Sequence, residues 1–253
     1  MTKNTTMAAF PGFGFKTALA KILALSDGTE EVQICPQNYG VLDEAMIDSL
    51  RDSGLKLRPH ANVRIPWNGS RRIDASMPWE VTRPYFVTLA GLARRMNASA
   101  YSLHAGERRD PLAHVFDRVR RIEDLFGVPV ALEGHYPTPN GTFHLDSWQE
   151  YEILLHSGLH MAIDLSHLNI VATVHGRRDD LVQALLNHPK TIEIHVSGND
   201  GHRDSHFLST GKEWWVPLLH ACPPRPGLVV FDEGKISSPE MERRFERHCV
   251  SRL

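Results

Sequence analysis

Between Ile192 and Phe207 the chain reads I-E-I-H-V-S-G-N-D-G-H-R-D-S-H-F. His195 stands near the end of a run holding the β-branched Ile192, Ile194 and Val196. Beyond Gly198 and Gly201, a polar loop delivers Asp204 and His206 two residues apart. Neutral imidazole and carboxylate suit hard and borderline divalent metals, and no thiol stands nearby. Solvated His and Asp side chains would give the same loop, so this stretch alone leaves metal binding open.

What matters next is whether other ligand-type residues reach the same place. Residues 8–15, 32–35, 55–58, 101–106, 128–133, 159–164, 192–196 and 228–233 read as strands, from β-branched and apolar runs bounded by Gly, Pro or Asp. Helices are expected over 16–25, 43–53, 80–96, 111–126, 147–157, 179–187, 211–220 and 239–249. Asp43 caps the second and Gly54 closes it, while Val115, Val119, Ile122 and Leu125 line one face of the fourth. Strands alternating with helices across 253 residues predict an α/β protein, a (β/α)8 TIM barrel forming one domain over residues 1–253.

In such a barrel the C-terminal strand ends converge on one mouth. At or just after those ends stand His60, His104, Glu133, Asp164 with His167, His195 with Asp204 and His206, and Glu233. Each has an ordinary alternative: a hydrogen-bonded core histidine, a strand cap, or a carboxylate paired with an arginine of the 58–72 stretch. Nine such groups at one mouth would repel one another or be badly desolvated without a cation. A metal centre with bridging carboxylates explains the set together. His135, His144, His175 and His202 fall outside it, with His175 placed in a loop near Asp164. Solvated loop positions are expected for His144 and remain open for the other three.

Composition sets further bounds. Hydrophobic residues make up 42% and charged residues 23%, ordinary for a globular protein with a full core. A net charge of −2 gives no global field for phosphate backbones, and the nearby cations reduce to Arg64, Arg71, Arg72, Arg177, Arg178 and Arg203, so nucleic acid is not expected as a partner. Three scattered cysteines suggest a reducing compartment rather than a disulfide framework. No run approaches membrane-spanning length and residues 1–15 lack a signal-peptide core, so a cytoplasmic protein without a membrane partner is expected.

With these residues in place, the chain resembles the xylose isomerase-like barrel superfamily, and more narrowly its trinuclear branch. Endonuclease IV enzymes carry a comparable ligand series. Its counterparts here are His60, His104, Glu133, Asp164-Leu165-Ser166-His167, His195, Asp204-Ser205-His206 and Glu233. A second similarity is to the multinuclear non-haem iron-dependent oxidative enzymes that modify ribosomally made peptides. It reaches the flanks: Val119-Arg120-Arg121-Ile122 through Ala131-Leu132-Glu133, Ile163-Asp164, His175-Gly176, Glu193-Ile194-His195 and Trp214-Trp215 follow that family's order. The likeness covers roughly residues 30–235 and is patchy between motifs. The chain departs from the iron family at His167, where Asn is usual, and at Gly134-His135, where Asn-Pro is usual. Against endonuclease IV, it lacks the glycine-tyrosine loop after the first His.

The resemblance implies Glu133, Asp164, His195 and Glu233 around a central metal, His60 and His104 on one flank, and His167, Asp204 and His206 on the other. It implies two or three iron ions, with zinc or manganese as alternatives, and Glu133, Glu233 and His167 acting in the reaction itself. The expected activity is oxidation, with O₂, of a peptide or a small thiol-containing substrate. A small partner protein that delivers a peptide leader often accompanies such enzymes. The alternatives are a trinuclear zinc phosphodiesterase, or a sugar isomerase or epimerase with Glu133 and Glu233 as acid and base. The last leaves Asp204 and His206 without a role.

Overall fold

The computed structural model describes residues 3–25, 30–35, 41–52, 54–61, 63–67, 72–236, 238 and 241. Eight strands, β1 (Lys3–Thr6), β2 (Glu31–Ile34), β3 (Lys56–Pro59), β4 (Tyr101–His104), β5 (Val130–Glu133), β6 (His160–Asp164), β7 (Thr191–Val196) and β8 (Val229–Asp232), form one parallel sheet. Its order is β3-β2-β1-β8-β7-β6-β5-β4. The two terminal strands meet through a single parallel bridge between His60 and Ser102, where the Ala61 N–H donates to the Ser102 carbonyl at 2.6 Å. The sheet thus closes into the expected (β/α)8 barrel.

Side-chain alternation sorts each strand into two faces. Parallel partners share a face, so Leu103, Leu132 and Met161 form one apolar row, as do Ile163, Ile194 and Val230. The helices are α1 (Phe15–Leu25), α2 (Glu44–Arg51), α3 (Trp79–Arg95), α4 (Leu112–Phe126), α5 (Trp148–Leu155), α6 (Leu165–His175), α7 (Asp179–Asn187) and α8 (Val216–His220). They cover the apolar rows. α4 buries Val115, Phe116, Val119, Ile122 and Phe126 on one stripe, at about 1.5–3 kcal/mol for each large side chain. It stops at Gly127, whose φ of +69° favours glycine.

The opposite strand face is polar. Gln33, Arg58, His60, Ser102, Glu133, Asp164, Glu193 and His195 are all buried, on the alternate positions that point into the barrel. Branched aliphatic residues usually fill this space. Here it holds charge, and most of that charge lies at the C-terminal end.

Several boundaries differ from expectation. The first strand is Lys3–Thr6, not residues 8–15. Thr6 Oγ1 accepts from the Ala8 N–H and turns the chain into a 3-10 turn at Met7–Ala9, whose apolar side chains fill the core rather than a sheet edge. α6 was not expected. It lacks a polar face, with Leu165, Leu168, Ile170, Val171 and Ala172 all buried, so no amphipathic period announces it. His175 ends this helix instead of lying in a loop. α8 begins at Val216 rather than at residue 211. The helix expected over 239–249 lies outside the described residues except at Met241.

Candidate metal centre

All nine strand-end residues converge. β3 is followed by His60, whose Nε2 lies 3.5 Å from Glu133 Oε2, and β4 ends on His104, whose Nε2 lies 3.4 Å from Glu133 Oε1. His195 Nδ1, on β7, lies 3.4 Å from Glu133 Oε2 and 3.6 Å from Glu233 Oε1. His167 Nε2 faces Asp164 Oδ2 at 3.4 Å and Asp204 Oδ2 at 3.5 Å. His206 Nε2 contacts Asp204 Oδ2 at 2.9 Å, and its Nδ1 lies 3.7 Å from Glu233 Oε2. Among the nine, donor atoms of three groups lie within 4.8 Å of one another: His60–His104–Glu133, Glu133–Asp164–His167 and Asp164–His195–Glu233. Glu133 and Asp164 each belong to two of them.

Local structure explains the aim of each side chain. Asp164 ends β6 and caps α6, its Oδ1 accepting from the Ser166 N–H at 2.7 Å and the His167 N–H at 3.1 Å. Oδ2 is thereby left for the centre. The same helical turn brings His167 round. Its Nδ1 contacts the Gly134 carbonyl at 2.9 Å; a carbonyl can only accept, so Nδ1 carries a proton and Nε2 is the nitrogen left to give its lone pair to an ion. His60 Nδ1 contacts Ser102 Oγ at 2.9 Å, which likewise turns Nε2 inward. Asp204 and His206 come from a loop closed by paired bonds between Gly198 and Phe207, of 2.7 and 2.8 Å. His206 sits at φ +51°, an uncommon conformation for a non-glycine residue, and its carbonyl accepts from the Lys235 N–H.

The electrostatics show mutual dependence. Burial pushes Glu133 up, but His104, His195 and His60 outweigh it and hold the carboxyl well below its ordinary range. Burial lowers His167, yet Asp164, Asp204 and Glu133 raise it well above the usual imidazole value. His195 is likewise lowered by burial and raised further by Glu233 and Glu133. Burial, opposed by His195 and His206 and reinforced by Asp164, lifts Glu233 to about 7. His60 falls to about 3, chiefly through burial, with Glu133 pulling the other way.

These residues fit divalent ions. Glu133 Oε2 and His195 Nδ1 are buried, face each other at 3.4 Å and have no hydrogen-bond partner. Donors about 2.1 Å from one ion stand roughly 3.0 Å apart in an octahedron and roughly 3.4 Å in a tetrahedron. The separations above fall near the second figure. His60, His104, Glu133, Asp164, His195 and Glu233 could surround two adjacent positions, and His167, Asp204 and His206 a third. His104, Asp204 and His206, with side chains 17%, 18% and 24% exposed, mark the side open to solvent.

Residues outside the nine also shape the site. Arg58 and Glu193 lie two positions before His60 and His195, on the same strand face, and strict alternation is the signal that finds them. His135 stacks between His104 and Phe143, with ring centroids 4.8 and 4.3 Å apart, and the Tyr136 ring lies 4.9 Å from that of His167. These rings wall one side of the mouth. His144 is buried, 4.0 Å from Glu150, rather than solvated, whereas His175 and His202 are exposed. Of the arginines the sequence offers for a cationic rim, Arg177 pairs with Asp179 and Arg178 with Asp180 and Glu152. Arg71 lies outside the described residues, which leaves Arg64, Arg72 and Arg203.

No protein-family model matches this chain, and no curated protein does. Solved structures do. A D-tagatose 3-epimerase-like protein superposes with a TM-score of 0.70 at 16% identity, over 98% of this chain and 95% of that one. Endonuclease IV from Thermus thermophilus gives 0.61 at 15% identity, over 99% of both chains. The IOLI protein, in a structure with a bound zinc atom, gives 0.66 at 12% identity, over 98% of this chain and 94% of that one. Joined to the closed parallel sheet, these likenesses identify the fold of this chain as a (β/α)8 TIM barrel, shared with these proteins.

Proposed function

We propose that this chain is a multinuclear metal-dependent enzyme that hydrolyses a phosphate ester of a compact substrate. The carrying observation is the overlap of ligand groups: Glu133 and Asp164 are each shared, and Asp204 and His206 extend the cluster past His167. A one-ion isomerase or epimerase has no use for that extension. The likeness to endonuclease IV in fold and in ligand order supports hydrolysis. Ions bound here would supply Lewis-acid polarisation of a phosphoryl oxygen and a water acidified for attack. Glu133 and Asp164, each belonging to two of the ligand groups, would hold neighbouring ions. His167, locked by Gly134, and His206, locked by Asp204, aim at the outer position nearest solvent. The His135–Phe143–Tyr136 wall narrows the mouth, and the few free arginines argue against a long polyanion such as DNA.

A second reading is iron-dependent oxidation with O₂ of a peptide or a small thiol. It rests on the sequence likeness around Ala131-Leu132-Glu133, Glu193-Ile194-His195 and Trp214-Trp215, and on an all-nitrogen-and-oxygen ligand set that suits iron. Metal analysis of protein purified without chelator separates the two, together with turnover of bis(4-nitrophenyl) phosphate with and without O₂. At least two colourless ions per chain and oxygen-independent cleavage are expected. Coloured, iron-loaded protein inert toward the phosphodiester would overturn hydrolysis and favour oxidation. A protein that binds fewer than two ions would remove both readings.

A further inference from the structure

Glu193 is the most deeply buried carboxylate of the barrel, with no exposed surface, and lies one strand alternation below His195. Its Oε2 stands 3.1 Å from His195 Nε2, and its Oε1 lies 3.4 Å from Arg58 Nη1. Arg58 is itself buried and fully engaged. Nε contacts Glu31 Oε2 at 2.5 Å and Ser99 Oγ at 3.1 Å, Nη1 also reaches the Ile192 carbonyl at 3.0 Å, and Nη2 the Gly227 carbonyl at 3.1 Å. A column of charge therefore runs from the barrel floor to the centre: Glu31, Arg58, Glu193, His195.

By distance alone, His60, Glu193 and His195 also make a ligand group. Chemistry argues against it. Both oxygens of Glu193 already face hydrogen-bond partners, and the guanidinium beside them would repel a cation. On His195 the same nitrogen lies 3.0 Å from the Gln33 amide. A carboxylate can only accept, whereas an amide can turn either end, so Glu193 decides the tautomer. One proton is therefore held on Nε2, and Nδ1, the atom facing Glu133 and Glu233, is the nitrogen that would give its lone pair to an ion bound between them.

We infer that Glu193, anchored by Arg58, is the positioning residue for the central ligand His195: it fixes the imidazole's tautomer and orientation and strengthens Nδ1 as a donor, without touching the metal. The inference rests on the multi-ion reading above. Removing partners of this kind lowers metal affinity about 10–100-fold.

The test titrates Zn²⁺ into metal-stripped wild type and Glu193→Gln by calorimetry, and reads the imidazole nitrogens of zinc-loaded protein by ¹⁵N-correlated NMR. In wild type, His195 should show a protonated Nε2 and a zinc-shifted Nδ1. In Glu193→Gln, one binding step should weaken at least tenfold, the other steps should move less than about threefold, and the His195 Nε2–H signal should shift or exchange faster. An unchanged affinity with an unchanged His195 spectrum would overturn the inference. So would complete loss of one ion with the His195 Nε2–H intact, which would make Glu193 a ligand. Should Glu193→Gln fail to fold, Glu193→Gln/Arg58→Met removes both charges of the pair and is read the same way. Wild type that binds no zinc would sink the multi-ion reading instead.

Discussion

At the scale of single residues, Glu133 is the side chain on which most of the centre depends. Its two oxygens face three histidines brought by β3, β4 and β7, and it shares ligand groups with Asp164 and His167. Glu133→Gln should therefore cost more than one ion, whereas His104→Ala should cost only the flanking one. Metal content after dialysis against limiting zinc checks this, with far-ultraviolet circular dichroism confirming that both variants keep their helices. Loss of a single ion from Glu133→Gln would show that the carboxylate does not bridge. Seven of the nine were legible because they stand at or within three residues of a strand's C-terminal end, where the barrel forces convergence, and Asp204 and His206 follow in the polar loop after β7. Glu193 and Arg58 were less legible. Buried charges in mid-strand resemble ordinary polar positions until the register shows that they face inward.

At the scale of elements, Asp164 serves two masters: one oxygen caps α6 while the other faces the centre. The two roles can be separated. Asp164→Asn keeps an N-capping side chain and should leave stability within about 0.5 kcal/mol while losing metal. Asp164→Ala should lose metal and, in addition, about 1 kcal/mol of stability. Denaturant midpoints of the metal-free variants measure the difference, and equal midpoints would show that the cap contributes nothing. α6 itself escaped the sequence because its buried residues, Leu165 to Leu168 and Ile170 to Ala172, follow one another without a polar stripe between them. The strand expected over residues 8–15 failed for the converse reason: its first apolar residues pack as a turn just past the C-terminal end of β1, while the polar Lys3–Thr6 segment pairs with β2 and β8.

At the scale of the whole molecule, the sheet is bonded unevenly. Seven of its neighbouring pairs run over two to four registered residues each, but among the described residues β3 and β4 share only the His60–Ser102 bridge and the bonds beside it. That seam coincides with the centre, since His60 directly follows β3 while His104 and Glu133 end β4 and β5. An ion held by all three would act as a rivet across the barrel's weakest joint. Metal-stripped protein should then begin to open there, like a stave barrel whose hoop has slipped. Hydrogen–deuterium exchange gives the measure: amides of Ala61 and of the β4 strand should exchange markedly faster without metal than with it, while those between β6 and β7 change little. Uniform protection on loading would mean that the ion stabilises the fold without closing the seam. Where the difference holds, the ligands that prepare the chemistry are also the fastening that keeps the cylinder shut.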